Sequence, residues 1–98
     1  MSNYKLQEFE DIATLSGEPE AKVVLFNDDW HTFQDVIFQV IKACQYTIER
    51  AEQIAMIVHH RGKAAVITSN LDHCLEVAAI LQEIDLHVEI EPVNAEQN

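Results

Sequence analysis

The fold of this 98-residue chain is decided by the stretch Lys22-Val23-Val24-Leu25-Phe26-Asn27-Asp28-Asp29-Trp30. Its β-branched and aromatic run predicts a buried strand over 22–27, and the polar residues that follow predict a turn. Further along the chain lies a second polar string, Val58-His59-His60-Arg61-Gly62-Lys63. An amide, two carboxylates and an imidazole are good hydrogen-bond acceptors for one ammonium group. Together the two strings suggest a small pocket for a cation on an apolar body, such as the first residue of a polypeptide.

Apolar residues at helical spacing predict two helices between these strings. The first helix spans 33–44 and follows Thr32, which is a plausible N-cap. The second follows Thr47, another N-cap candidate, and its apolar stripe runs to Val58. Gly62 suits the residue that ends this helix in a left-handed conformation.

The rest of the chain predicts two more strands and a third helix. Residues 63–68 form the second strand, and either Ser69 or Asn70 caps the third helix. Residues 86–91 alternate between apolar and polar, as in a half-buried strand, and Pro92 stops it. The element order β-α-α-β-α-β predicts an α+β fold, a small two-layer sandwich with three helices on one face of a three-stranded antiparallel sheet.

Length and composition indicate one folded domain with two flanking segments. Residues 1–21 are rich in acidic side chains, and Gly17 and Pro19 break any regular element near their end, so we predict a flexible acidic N-terminal arm. The domain covers 22–93, and a disordered tail is expected over 94–98. Hydrophobic residues make up 48% of the chain, enough for a core. A chain this short leaves little interior for a deep catalytic cavity.

The charge of the chain disfavours two classes of partner. There are 17 Asp and Glu against 6 Lys and Arg, a net charge of −11. Nucleic acid binding needs basic side chains that neutralise phosphates, and an anionic membrane surface repels an acidic chain. No apolar stretch approaches the ~20 residues of a membrane span, and the N-terminus lacks a secretory-signal pattern. We expect positively charged partners, no nucleic acid, no membrane, and a location in the cytoplasm or in an organelle interior after processing.

The cysteines and histidines indicate no cofactor site. Cys44 and Cys74 have neither metal-ligand spacing nor a Cys-x-x-Cys pattern, so we expect buried thiols, with a single disulfide as the alternative. His59 and His60 are adjacent, so on a helix they cannot converge on one ion. We therefore expect no metal and no cofactor.

At these residues the chain resembles the ClpS family of adaptors for the ATP-dependent Clp protease. The resemblance covers residues 22–92. It is carried, at the family spacing, by Lys22 to Trp30, Val36-Ile37, Glu49-Arg50-Ala51, Val58 to Ala64 and Glu91-Pro92. It implies an adaptor, not an enzyme, that binds N-degron substrates, which are proteins with a free destabilising first residue (Leu, Phe, Tyr or Trp). It also implies that the adaptor is monomeric and delivers them to a Clp-family AAA+ unfoldase by docking on the N-terminal domain of that unfoldase.

The resemblance implies the site residues as well. Asn27, Asp29 and His59 would contact the α-amino group of the substrate, and Asp28 would support them through water or its field. The pocket for the first side chain would be lined by Leu25, Phe26, His31, Phe33, Val36, Ala55, Val58 and Leu86.

Several positions depart from the usual residues of the family. Many relatives have Thr-Pro-Met where this chain has His31-Thr32-Phe33, and a second Met where it has Ala55. Phe33 would narrow the pocket mouth and Ala55 would deepen the pocket, so the preferred first residue stays open. The implied unfoldase-docking surface on the third helix includes Leu71 and Glu76. Glu76 replaces a common Lys, so the identity of the unfoldase stays open too.

Two other functions fit parts of the pattern. Asp28 or Asp29 with His59 could form an acid–base pair of an enzyme, but the sequence has no nucleophile motif and no glycine-rich phosphate loop. A protein-interaction module of the same fold, without N-degron binding, is the alternative. The tripeptide Asn27-Asp28-Asp29 taken alone is also explained by a polar turn whose side chains bond their own backbone.

Overall fold

The structure, a computed structural model, describes residues 20–93. The strands are β1 (Glu20–Phe26), β2 (Lys63–Asn70) and β3 (Val88–Pro92), and the helices are α1 (Phe33–Cys44), α2 (Ile48–Arg61) and α3 (Leu71–Leu81), with a 3₁₀ turn at Gln82–Ile84. This order confirms the predicted β-α-α-β-α-β arrangement. The predicted tail over 94–98 lies outside the described residues. So does the predicted arm over 1–21, except for its last two residues.

The sheet is antiparallel, and β1 lies in its centre in the order β2-β1-β3. Glu20 and Ala21, which were expected in the arm, pair with Asn70 and Ser69 of β2. β1 therefore begins two residues before the predicted start at Lys22. Partners on both edges explain the extension, because a central strand gains ladder hydrogen bonds on each side.

The predictions for the remaining elements differ from the structure only at their ends. β2 continues two residues beyond Thr68, because it pairs with the extended start of β1. β3 begins at Val88 instead of residue 86, because its pairing with β1 starts at the pair of Val88 with Leu25. Of the two candidate caps for α3, Asn70 is used, and its side chain accepts a hydrogen bond from the backbone of His73 at 2.9 Å.

Capping residues fix the ends of α1 and α2 as predicted. Thr32 Oγ1 accepts from the Asp35 N–H at 3.0 Å, and Asp35 Oδ2 accepts from the Thr32 N–H at 3.0 Å, which forms a capping box. Thr47 caps α2 by accepting from the Arg50 N–H at 3.2 Å. Gly62 ends α2 with φ of 91°, a left-handed conformation that favours glycine. These caps fix where α1 and α2 begin and where α2 ends.

The core lies between the helices and one face of the sheet. Alternate residues of β1, Ala21, Val23 and Leu25, are fully buried there, as expected for a strand with one face covered. The buried polar side chain of Gln39 on α1 donates to the Ile80 carbonyl oxygen at 2.6 Å, which joins α1 to the end of α3. This packing leaves the start of α1 beside α2 and the loop after β1.

Both cysteines are free thiols, as expected. Cys74 is fully buried, and its Sγ lies 3.3 Å from the Ala21 carbonyl oxygen. Burial raises the pKa of Cys44 to about 11 and also raises the pKa of Cys74. Within residues 20–93, none of the helices has the length and apolar character needed to span a membrane.

Candidate functional site

A cleft of about 600 Å³ opens between the loop after β1, the first turn of α1 and the second half of α2. It is lined by Asn27, Asp28, Asp29, His31, Thr32, Phe33, Val36, Ala55, Met56, Val58 and His59. The two polar strings singled out in the sequence therefore meet at one place. The backbone explains why: the Asn27 N–H donates to the Gly62 carbonyl oxygen at 2.8 Å, which ties the start of the loop to the end of α2.

The apolar wall of the cleft comes from two helices. Phe33 and Val36 are three positions apart on α1, and Ala55 and Val58 are three apart on α2, so each pair occupies one helix face. Ala55 and Val58 are 2% exposed and form the inner end, whereas Phe33 is 38% exposed and lies at the rim. The small side chain of Ala55 leaves open the space that a longer side chain would fill.

The polar wall carries side chains that no other group in the described part of the chain engages. Within residues 20–93, no hydrogen bond or ion pair engages the Asn27 amide, the Asp29 carboxylate or the His59 ring nitrogens. All three residues are exposed. The His59 ring makes an edge contact with the ring of His60, with centroids 5.3 Å apart. An amide oxygen, a carboxylate and an imidazole nitrogen are therefore available as acceptors at one end of an apolar cleft.

Asp28, by contrast, is fully engaged in shaping the loop. Its Oδ1 accepts from the Trp30 N–H at 3.0 Å and from the His31 N–H at 2.8 Å, and its Oδ2 lies 2.6 Å from His31 Nδ1. Burial would raise the pKa of Asp28, but these hydrogen bonds outweigh it and hold the pKa below the ordinary value of 3.8. The polar-turn explanation left open for the tripeptide therefore holds for Asp28.

His31 connects this loop to the turn that follows α3. Its side chain is 5% exposed, and Nε2 lies 2.5 Å from the Ile84 carbonyl oxygen in the turn after α3. Burial would lower the pKa of His31, but the hydrogen bonds to Asp28 and Ile84 and the charge of Asp28 raise it above the ordinary 6.5.

Three residues predicted for the hydrophobic pocket are not among those that line the cleft. Leu25 and Leu86 are 0% and 3% exposed and belong to the core. Phe26 follows Leu25 in the same strand and so points to the opposite face of the sheet. Its ring stacks on His87, with centroids 4.4 Å apart. Strand alternation thus removes Leu25 and Phe26 from the cleft in opposite directions.

Two lining residues were not predicted as part of the site. Met56 is 51% exposed and lies at the rim, next to Ala55 and three positions before His59 on α2. That spacing could have identified it. Thr32 was recognised only as a helix cap, and its place in the lining follows from the turn that precedes α1.

The residues expected to dock on an unfoldase lie on α3 and do not line the cleft. Leu71 is half-buried at the first position of the helix, and Glu76 is exposed near its middle. In the described range, 20–93, no group of three or more His, Cys, Asp or Glu side chains is arranged to hold a metal ion.

Comparison with known proteins identifies the family of this chain. The family model described as "ATP-dependent Clp protease adaptor protein ClpS" matches residues 16–93. The chain belongs to the ClpS family. Membership in a family of adaptor proteins confirms the prediction that the chain is not an enzyme.

Curated relatives match over a shorter segment. The ClpS adapter of Enterobacter sp. (strain 638) is 46% identical over 43 residues, which cover 44% of this chain and 41% of the relative. The ClpS adapter of Escherichia coli O1:K1 / APEC is 44% identical over 43 residues, with the same coverage. The chain thus spans less than half the length of these curated relatives.

A solved structure supports the fold over a longer range. Agrobacterium tumefaciens ClpS2, solved with L-phenylalaninamide bound, matches with a TM-score of 0.73 and 21% identity. The match covers 78% of this chain and 99% of that chain. The ClpS fold predicted from the sequence is therefore confirmed.

Proposed function

We propose that this ClpS-family protein is an adaptor that binds proteins with a free, large apolar first residue (Leu, Phe, Tyr or Trp) and delivers them to a Clp-family unfoldase. One observation carries the proposal. The unengaged side chains of Asn27, Asp29 and His59 line the same cleft as an apolar wall. The structurally similar ClpS2 is bound to L-phenylalaninamide, a small molecule with an α-amino group and an aromatic side chain, and this supports the same ligand class here.

The polar end of the cleft suits an α-amino group. An α-amino group has a reference pKa of about 7.7–8.0, so most of it is charged at neutral pH. Its three N–H donors match three acceptors: the Asn27 amide oxygen, an Asp29 carboxylate oxygen and one nitrogen of neutral His59. Each hydrogen bond to a charged group contributes about 1.5–3 kcal/mol. Asp28 acts indirectly in this scheme, because its carboxylate holds the loop that presents Asp29.

The apolar end of the cleft suits the first side chain of the substrate. Burying a Leu or Phe side chain between Val36, Ala55 and Val58 contributes about 1.5–3 kcal/mol. Neither the amino group nor the side chain alone offsets the entropy lost on association. The site therefore requires both features, and an acetylated N-terminus or an internal residue lacks the first of them.

Delivery requires a second surface on the adaptor. We place it on α3, with Leu71 and Glu76, and its partner is the N-terminal domain of a Clp-family AAA+ unfoldase. The adaptor acts in this scheme as a monomer, in the cytoplasm or in an organelle interior after processing. If Glu76 lies in this surface, Glu76→Lys changes the affinity for that domain in a titration, and an unchanged affinity refutes this placement of the surface.

The recognition step is tested with a pair of charge-matched variants. Asp29→Asn keeps the size of the side chain and removes one negative charge from the cleft. Asp72→Asn makes the same change in the first turn of α3, where the residue does not line the cleft. Fluorescence anisotropy with a labelled peptide that begins with free Phe measures both affinities.

We expect Asp29→Asn to weaken binding by about tenfold or more, because the ammonium group then donates to a neutral amide oxygen instead of a carboxylate. Asp72→Asn should bind as wild type. Equal weakening in both variants would point to net charge instead of a specific contact. If the wild-type protein binds no such peptide, the proposal fails, and a protein-interaction module without N-degron binding becomes the better interpretation.

A further inference from the structure

The His31 ring is bonded at both nitrogens, and both partners are acceptors. Nδ1 lies 2.6 Å from the Asp28 carboxylate, and Nε2 lies 2.5 Å from the Ile84 carbonyl oxygen. A carbonyl oxygen cannot donate, and the lowered pKa of Asp28 keeps its carboxyl group ionised. A neutral imidazole has a single N–H, so one of the two oxygens would face a lone pair. Both bonds form together only when the ring is an imidazolium.

These two bonds anchor one end of the loop that carries the polar acceptors. The other end is held by the hydrogen bond from the Asn27 N–H to the Gly62 carbonyl oxygen. Asp29 lies between the two anchors and has no bond of its own within residues 20–93. The position of its carboxylate therefore depends on both anchors, and His31 supplies the one that can titrate.

The surroundings of the ring favour its charged form. The nearby charged or polar groups are Asp28 in the loop, Asp35 in α1, His59 in α2 on the same cleft, and the Ile84 carbonyl with its sequence neighbours Glu83 and Asp85 after α3. Burial opposes the charge on His31, but the bonds to Asp28 and Ile84 and the negative charges of Asp28 and Asp35 raise its pKa. Of the acids in this set, Glu83 is already paired with Lys42, at 2.7 Å.

We propose that His31 is a positioning residue: as an imidazolium it holds the loop in the geometry that recognises a cationic chain end. Loss of its proton breaks one of the two bonds and loosens the loop. The affinity of the cleft for such a ligand then falls by about tenfold, the effect of one hydrogen bond to a charged group. The binding part of this inference rests on the proposed function, whereas the protonation of His31 does not.

The first test uses the protein alone. Trp30 is the only tryptophan of the chain, and its ring lies on that of His31 with centroids 3.9 Å apart. Because a protonated imidazole quenches an indole in contact with it, the emission of Trp30 should rise with pH, with a midpoint above 6.5. Asp28→Asn should lower this midpoint, because a neutral amide no longer stabilises the cation. No transition, or a wild-type midpoint at or below 6.5, overturns the proposal.

Nitrogen-15 chemical shifts of the two His31 ring nitrogens give the same answer without any variant. At pH 6 both nitrogens should carry a proton. A chemical shift typical of an unprotonated ring nitrogen, at either position and at that pH, contradicts the arrangement in which both nitrogens donate.

The second test measures binding. The dissociation constants of wild type and His31→Gln for a peptide with free N-terminal Phe are compared from pH 5.5 to 9. The peptide's α-amino group loses its proton equally in both measurements, so this effect cancels in the ratio. The ratio of variant to wild type should be about ten at pH 6 and approach one above the midpoint of the Trp30 transition. A ratio that is constant with pH, or near one at pH 6, refutes the positioning role.

His73→Gln is the matched control. The His73 ring is bonded to the Ser69 hydroxyl at 3.1 Å, and the residue does not line the cleft. The ratio of its dissociation constant to that of wild type should stay near one at every pH. A ratio that varies with pH as it does for His31→Gln would refute a role specific to His31. If wild type binds no peptide at any pH, the proposed function and the binding part of this inference both fail, and the Trp30 titration alone decides the protonation of His31.

Discussion

Replacement by alanine should affect the stability of the protein very differently at two neighbouring aspartates, Asp28 and Asp29. Asp28→Ala removes the acceptor of three hydrogen bonds, at 3.0, 2.8 and 2.6 Å, and leaves two backbone N–H groups and the His31 ring without it. A typical hydrogen bond contributes about 1 kcal/mol, and more when one partner is charged. The Asp28 side chain is 19% exposed, so water recovers part of the loss. We therefore expect Asp28→Ala to lower the free energy of unfolding by about 2–3 kcal/mol.

Asp29→Ala should leave stability almost unchanged. The Asp29 side chain is exposed and makes no bond within residues 20–93, so its removal should change the free energy of unfolding by less than about 0.5 kcal/mol. Peptide binding should nevertheless fall by about tenfold or more, because the cleft loses the carboxylate that faces the ammonium group. Asp28→Ala should also weaken binding, but through the loosened loop.

Thermal and urea unfolding at pH 6, with peptide anisotropy on the same samples, separate the two cases. For a domain of this size each 1 kcal/mol shifts the Tm by about 4–8 °C, so Asp28→Ala should unfold about 10–20 °C below wild type. Asp72→Ala controls for the loss of one negative charge. If Asp29→Ala unfolds as early as Asp28→Ala, or Asp28→Ala unfolds at the wild-type temperature, the division of roles between the two aspartates is wrong.

Three further predictions concern pH, cleft depth and thiol reactivity. The contribution of His31 to stability is present below 6.5 and is lost as pH rises through its raised pKa, whereas that of Asp28 is present above 3.8 and is lost as pH falls through its lowered pKa. In urea unfolding, the free energy of unfolding of wild type should therefore exceed that of His31→Gln most between about pH 4 and 6.5. A difference between the two proteins that does not vary with pH would contradict this. Ala55→Met should fill the inner end of the cleft and lower the affinity for a peptide that begins with Trp by about tenfold, because part of one large side chain is then excluded. Fluorescence anisotropy measures this affinity, and an unchanged value would show that the Trp ring does not enter the inner end. Burial raises the pKa of Cys44 to about 11 and also raises that of Cys74. Neither thiol should therefore react with a chromogenic disulfide at pH 8 before urea unfolds the chain. Rapid reaction of the native protein would disprove this prediction.

Local sequence signals predicted most of the fold, because they act within a few residues. Thr32 and Thr47 fix two helix starts through side chain–backbone bonds three positions away, and Gly62 fixes a helix end through its own backbone. The starts of β1 and β3 were less predictable. Glu20 and Ala21 join β1 because strands distant in sequence pair with them, and no local pattern encodes that pairing.

The candidate site also combines features that the sequence predicted with features that depend on the tertiary fold. The resemblance to the ClpS family implied Val36, Ala55 and Val58 as pocket residues, and the structure brings them to one cleft with the polar acceptors. The different roles of Asp28 and Asp29 could not be separated from sequence, since both follow the same strand. The bond from His31 to the Ile84 carbonyl joins residues 53 positions apart and depends on the tertiary fold alone.

The central claim is that the cleft recognises a charged chain start together with an apolar first side chain. Calorimetric titration with one peptide that begins with Phe, and with the same peptide N-acetylated, tests it most directly. Acetylation removes the charge and two of the three N–H donors, so the free peptide should bind at least about 100-fold more tightly than the acetylated one. Equal affinity for the two peptides would contradict the claim.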